Sequence, residues 1–265
     1  MVKTIITFIR STLFNILFYG LTALACVLCL PGLFFKDRGL YMIVHSFVNS
    51  IYFLEKYVLG LDYEVRGLEH LPKDGSYVVA AKHQSPYETF KLHRLFGRPA
   101  IVLKKELLSI PLWGKFLGRV QPIAIDRSQG KSAMNQIIEG AKAIKDDGRA
   151  IVIFPQGTRV YPWQTTKDKP YRAGVARIHT STGMPIIPLS MNTGIFWPRK
   201  SWLKQSGKVI FEFHEALKPS QSVEDIMKEL ENIVETNSKA LENEAIDKNT
   251  ALRINQEHKG SKTTA

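Results

Sequence analysis

Between Ser11 and Phe35 the chain carries no charged residue: STLFNILFYGLTALACVLCLPGLFF. About 20 apolar residues in helical form span a bilayer core, so this stretch is long enough to cross one. Lys3 and Arg10 precede it, and Lys36 and Arg38 follow it. A basic flank before an apolar run also describes a cleaved signal peptide. The run is long for that, and no small-x-small cleavage site followed by a polar start stands behind it, which favours a retained anchor. The two basic flanks nearly balance and set no orientation. Cys26 and Cys29 form a Cys-x-x-Cys inside the run. With no other ligand nearby in a greasy setting, they read as small apolar packing residues. Two cysteines also exclude a disulfide scaffold and a multi-cysteine zinc module.

A second stretch, Leu40–Leu59, is apolar at 40, 43, 44, 47, 48, 51, 54 and 58, which is helical spacing. Its other positions include His45, Asn49 and Lys56, so it suits a helix lying in the interface beside the anchor. The first 60 residues carry a net charge of +3 and the remaining residues +9, within a chain total of +12. An apolar head followed by a basic body points to an anionic membrane surface or an anionic substrate. Nucleic-acid binding would explain the charge but not the head.

Beyond residue 62 short β-rich runs alternate with helical patterns. The strand candidates are Tyr77–Ala81, Ala100–Leu103, Pro122–Ile125, Ala150–Phe154, Ile186–Ser190 and Val209–Phe213. Helical periodicity marks Lys131–Lys145 and Ser222–Leu241, with further helices expected over Arg172–Thr182 and just after Pro86. This alternation predicts an α/β fold: a mixed, largely parallel sheet flanked by helices, preceded by an N-terminal membrane-associated helical pair. The expected division is an anchoring head over 1–61, a catalytic domain over 62–247 and a polar, flexible tail over 248–265.

Open α/β sheets collect ligands at the carboxyl ends of their strands. The residues following the candidate strands are Lys82–Glu88, Lys104-Lys105-Glu106, Asp126-Arg127, Pro155–Arg159 and Met191-Asn192. One sheet edge therefore gathers a histidine, a carboxylate, a glycine turn and several cations. Ser85-Pro86-Tyr87-Glu88 has the form of a helix start, with Ser at the N-cap, Pro at N1 and Glu at N3, so Glu88 has a capping role available to it. It is also placed to meet His83, fixing one imidazole nitrogen and leaving the other as a general base. His83 can alternatively be a satisfied polar residue at a strand end. Phe154-Pro155-Gln156-Gly157-Thr158-Arg159 is a tight turn with Thr158 and Arg159 suited to an anion. Lys105 and Arg127 would complete a phosphate-binding set, or serve equally as solvated charges.

These blocks resemble the 1-acylglycerol-3-phosphate acyltransferases of the glycerolipid acyltransferase superfamily. The family's His-x4-Asp block reads KHQSPYETF, with Glu88 in place of Asp. Its Ile-Asp-Arg block is Ile125-Asp126-Arg127, and its Phe-Pro-Glu-Gly-Thr-Arg block is FPQGTR, with Gln156 in place of Glu. A proline in an apolar strand, Pro188, forms the fourth, and LKKELLSIPLWGKFLGRV between the first two blocks is similar as well. The resemblance covers roughly residues 62–215.

The resemblance implies that His83 removes a proton from the free hydroxyl of lysophosphatidate, which attacks an acyl thioester, with Glu88 orienting the histidine. Lys105, Arg127, Gly157, Thr158 and Arg159 would bind the lysolipid phosphate. No metal and no resident cofactor is implied; acyl-CoA or acyl-acyl carrier protein would be a co-substrate. The implied location is the inner (cytoplasmic) membrane, with the catalytic domain on its cytoplasmic face, where such donors occur. Another lysolipid or glycerol 3-phosphate as acceptor, a thioester hydrolase and a non-catalytic lipid-binding protein are the competing readings.

Overall fold

The computed structural model describes residues 2–28, 38–73, 75–218 and 222–249, together with Leu252. Helix α1 runs over Val2–Leu28, so Lys3 and Arg10 lie inside the helix rather than before it. It is the one described helix long and apolar enough to cross a membrane. Residues 29–35 of the uncharged run, Cys29 included, lie outside the described residues. On its outward side α1 exposes Ile5, Phe8, Ile9, Leu13, Ile16 and Leu24. Its inward side is different. Phe14 is fully buried, and Ser11 and Asn15 hold the segment around Lys204: Ser11 Oγ accepts from the Lys204 amide at 2.9 Å, and Lys204 Nζ donates to Asn15 Oδ1 at 2.7 Å.

Helix α2, Arg38–Leu54, continues into a π-helical turn over Glu55–Leu59 that ends at Gly60 in the left-handed region. Glu55 in that turn forms a fully buried ion pair with Lys91. The Lys91 ammonium also sits over the rings of Tyr87, Tyr52 and Tyr63, at 4.4, 5.0 and 5.7 Å. Burial pushes the Glu55 carboxyl up to about 7, against the pull of Lys91. Removing one partner of such a pair leaves an uncompensated buried charge, so the pair ties the helical head to the catalytic body.

Seven strands follow: β1 (Leu61–Arg66), β2 (Val78–Ala81), β3 (Ala100–Lys104), β4 (Ile123–Ile125), β5 (Ile151–Ile153), β6 (Ile186–Met191) and β7 (Gly207–Phe213). They form one sheet in the order β1-β7-β6-β2-β5-β3-β4. Every adjacent pair is parallel except β6–β7, where Leu189 faces Phe213 in antiparallel register. Helices α3 (Pro86–Phe96), α4 (Trp113–Arg119), α5 (Lys131–Asp146), α6 (Gly174–Thr182), α7 (Thr193–Phe196) and α8 (Val223–Lys248) complete the described fold. The expected mixed, largely parallel α/β sheet is present, with β1, α4 and α7 as elements the sequence patterns did not reveal.

Alternate residues of each strand point to opposite faces, and the two sets feed separate cores. Val79, Ala81, Val152, Ile187 and Leu189 pack with Phe14, Tyr87 and Leu92 of α1 and α3. Val78, Ala80, Ile151, Ile153 and Ile186 pack with α5, α6 and the first half of α8. Helix α8 is longer than its periodicity suggested. Its end, with Ala245, Ile246 and then Leu252, reaches the other core. Of the tail expected from 248 onward, Lys248 ends α8 and Leu252 is buried; residues 250, 251 and 253–265 lie outside the described set.

Candidate active site

Strands β6, β2, β5, β3 and β4 all run the same way, so their carboxyl ends share one edge, as the motif positions require. Just past β2, Lys82 is committed to structure: its ammonium bonds Glu235 at 2.7 Å and the Gln164 carbonyl at 2.9 Å. His83 comes next. Its Nδ1 lies 2.7 Å from Glu88 Oε1. The same oxygen accepts from the amides of Gln84 at 2.7 Å and Ser85 at 2.9 Å, while the Ser85 hydroxyl accepts from the Tyr87 amide. Both roles open to Glu88 in the sequence are therefore filled at once: it caps α3 and holds His83. A hydrogen on Nδ1 directed at the carboxylate leaves the Nε2 lone pair as the basic site. The ring is fixed from its face by Phe154, stacked at 4.1 Å and 18°, and its backbone carbonyl accepts from the Val160 amide at 2.7 Å.

The third block turns back directly after β5. Gly157 has φ +69°, a region that favours glycine. A Cβ there would stand 3.3 Å from Arg127 Nη1, and that guanidinium donates to the Gly157 carbonyl. Burial and the neighbouring Arg172 lower the proton affinity of Arg127. Two guanidiniums side by side form a place that an anion would relieve electrostatically.

His83, Lys104, Arg127 and Arg159 share the wall of one cavity of about 550 Å³, which Arg172 does not line. At its polar end stand His83, Lys104, Arg127, Gly157, Thr158 and Arg159, and no acidic residue lines it among the described residues. The rest of its wall is mainly apolar, with Ile43 and Phe47 of α2, Phe90 of α3, Val102 of β3, and Trp113 and Phe116 of α4. Helix α4 reaches this position through a close approach at Gly114, where a Cβ would fall 2.1 Å from the Leu108 carbonyl oxygen. The volume is ordinary for a small-molecule site.

The structure thus brings together six of the expected residues: His83, Glu88, Arg127, Gly157, Thr158 and Arg159. It does not bring Lys105. Strand β3 runs one residue further than its apolar core, so Lys104 lines the cavity while Lys105 starts the following 3-10 turn, exposed. Gln156 is buried but outside the cavity wall, and neither polar atom of its amide has a hydrogen-bond partner among the described residues. Thr193 was not foreseen. Its hydroxyl donates to Glu88 Oε2 at 2.6 Å from the start of α7, directly beyond the end of β6.

The acyltransferase family model matches residues 62–192. The 1-acyl-sn-glycerol-3-phosphate acyltransferase of Pseudomonas aeruginosa is 37% identical over 179 residues, 68% of either chain. The Saccharomyces cerevisiae protein of the same name is 33% identical over 142 residues, 53% of this chain and 46% of its own. The human alpha form is 29% identical over 139 residues, 52% and 47% of the two chains. The match spans about half the length of the yeast and human relatives. In fold, the chain is similar to the crystal structure of the 1-acyl-sn-glycerophosphate acyltransferase of Thermotoga maritima, with a TM-score of 0.69, 24% identity, and coverage of 88% of this chain and 96% of that one. The chain belongs to the 1-acyl-sn-glycerol-3-phosphate acyltransferase family of the glycerolipid acyltransferase superfamily, and it is an acyltransferase.

Proposed function

We propose that this enzyme transfers a fatty acyl chain from an acyl thioester to the sn-2 hydroxyl of lysophosphatidate, giving phosphatidate for phospholipid biosynthesis. The observation that carries the reading is the single cavity in which a carboxylate-held histidine and an acid-free cationic end meet a mainly apolar wall. Phosphate matches the cations, an acyl chain matches the apolar wall, and a proton acceptor stands where the two join.

In this mechanism His83 Nε2 takes the hydroxyl proton as the oxygen attacks the thioester carbonyl. Glu88 stabilises the imidazolium that forms. Collapse of the tetrahedral intermediate breaks the carbon–sulfur bond, and His83 returns its proton to the departing thiolate. Arg127 and Arg159 hold the phosphate, aided by Thr158, with the turn at Gly157 allowing close approach. The thioester is a co-substrate, either acyl-CoA or acyl-acyl carrier protein, and the chemistry calls for no metal or resident cofactor.

An amphiphilic acceptor requires a site beside the lipid. The outward apolar face of α1 supports membrane attachment of residues 1–61, with the catalytic domain over 62–247 on the cytoplasmic face of the inner membrane. The deciding experiment offers purified enzyme in mixed micelles a labelled acyl thioester with lysophosphatidate, another lysophospholipid or glycerol 3-phosphate. Labelled phosphatidate as the dominant product is expected. Dominant acylation of another acceptor would overturn the substrate assignment, and release of free fatty acid alone would indicate a hydrolase.

A further inference from the structure

The carboxylate of Glu88 is completely buried, and its two oxygens have separate duties. Oε1 takes His83 and the two amides of the loop. Oε2 takes the Thr193 hydroxyl at 2.6 Å. Thr193 is itself fully buried and lies 105 residues away in sequence. A hydroxyl has one hydrogen to give. The competing acceptor, Gln84 Oε1, is 3.4 Å away, so that hydrogen belongs to Glu88.

The segment that presents Thr193 is fastened on three sides. Gln84 Oε1 accepts from the Gly194 amide at 3.1 Å, and Gln84 Nε2 donates to Glu242 of α8 at 2.8 Å. The neighbouring Asn192 bonds the Leu241 carbonyl at 3.1 Å and accepts from the Ile210 amide at 2.9 Å. Gly194 fits only because it lacks a side chain, since a Cβ would be 2.9 Å from both Gln84 Cβ and Pro162 Cγ. The backbone that presents Thr193 to Glu88 is therefore held on both sides of it. A hydroxyl held so firmly against the second oxygen of a buried acid acts on that acid's charge.

We propose that Thr193 is a positioning residue of the acyl-transfer reaction: its hydroxyl anchors Glu88 Oε2, fixing the carboxylate and setting how strongly it holds the proton on His83. This rests on the proposed role of His83 as base. A carboxylate that already receives three other hydrogen bonds attracts an imidazolium less than one that receives two. Loss of the Thr193 hydroxyl thus strengthens the hold of His83 on its proton, and more alkaline solution is needed to free the base. The other charged or titratable groups around the pair are Glu242 beyond Gln84, and His93, Lys104, Arg127 and Arg159 in the shared cavity wall; all remain in place when Thr193 is changed.

The test compares wild type with Thr193→Val, Thr193→Ala and Thr193→Ser in acyl transfer over a range of pH. In Val and Ala, kcat is expected to fall on the order of tenfold and the acid limb of the kcat/KM profile to move to higher pH. Thr193→Ser keeps the hydroxyl and should restore both. Two independent removals ensure a reading should one variant fold poorly. An acid limb that stays at its wild-type position in the folded variants, or a serine variant no better than alanine, overturns the assignment. A wild type inert toward every acceptor, glycerol 3-phosphate included, overturns the reading of His83 as base, and with it this role. Wild-type transfer with an unmoved limb overturns the role of Thr193 alone.

Discussion

Around Glu88 four donors converge on one carboxylate, two of them backbone amides, whereas the cavity opening from His83 is walled mainly by side chains with nothing to donate or accept. The first region is over-determined: capping of α3, orientation of His83 and the tether from α7 all meet at the same group. The second is held by shape alone, assembled from α1, α2, α3, β3 and α4. Geometry for chemistry comes from converging hydrogen bonds, and room for substrate comes from how helices pack over a sheet. Changes in the two regions should accordingly alter different quantities, turnover in one and substrate choice or affinity in the other.

Glu88→Ala should break the corner most visibly. It strands the amides of Gln84 and Ser85 as well as releasing His83, so kcat should fall on the order of a hundredfold and thermal stability should drop in the same protein. Glu88→Asp keeps the charge and should retain substantial activity; complete inactivity would show a geometry tuned to the longer acid. Arg159→Ala acts at the boundary of the two regions. Loss of a charge-assisted contact should raise KM for lysophosphatidate roughly twentyfold with little change in kcat, and steady-state titration of acceptor reads this directly. Val120→Phe fills space beside the apolar wall, in which Val120 is buried. It should shift preference toward shorter acyl chains by about tenfold or less, seen in competition between thioesters, with the pH profile unmoved.

His93 sharpens the contrast in another way. It is a titratable group in the apolar wall, and burial, with Arg149 nearby, pushes its pKa from 6.5 down to about 4. The folded state therefore binds this proton less readily than the unfolded chain. Its contribution to stability is present above pH 6.5 and is lost as pH falls toward 4, by on the order of 3 kcal/mol at most. Melting temperatures measured across that interval should fall more steeply for wild type than for His93→Gln; parallel curves would exclude His93 as the cause.

What the sequence made legible follows the same division. Six strands announce themselves as short apolar runs. β1 does not, because Asp62, Glu64 and Arg66 alternate with Leu61, Tyr63 and Val65, the pattern of a sheet-edge strand rather than of a buried one. Helix α4 is seven residues long with Gly114 and Gly118 inside it, too short and too broken for periodicity to show. His83, Glu88, Arg127 and the 157–159 turn were readable because parallel strands deliver their carboxyl ends to one edge. Lys104 and Lys105 are both exposed, and it is Lys104, the last residue of β3, that reaches the cavity wall. Thr193 sits at the same edge just beyond Asn192, but its bond to Glu88 joins segments with no local pattern in common. The cavity depends on helix packing that no single stretch of sequence encodes.

The central claim is that His83, held by Glu88, is the base for acyl transfer. The most direct test is turnover of lysophosphatidate and a labelled acyl thioester by wild type and His83→Ala, alongside their melting temperatures. The account predicts phosphatidate from wild type, a loss on the order of a hundredfold or more in the variant, and unchanged stability. Substantial phosphatidate formation by a well-folded His83→Ala enzyme would contradict it.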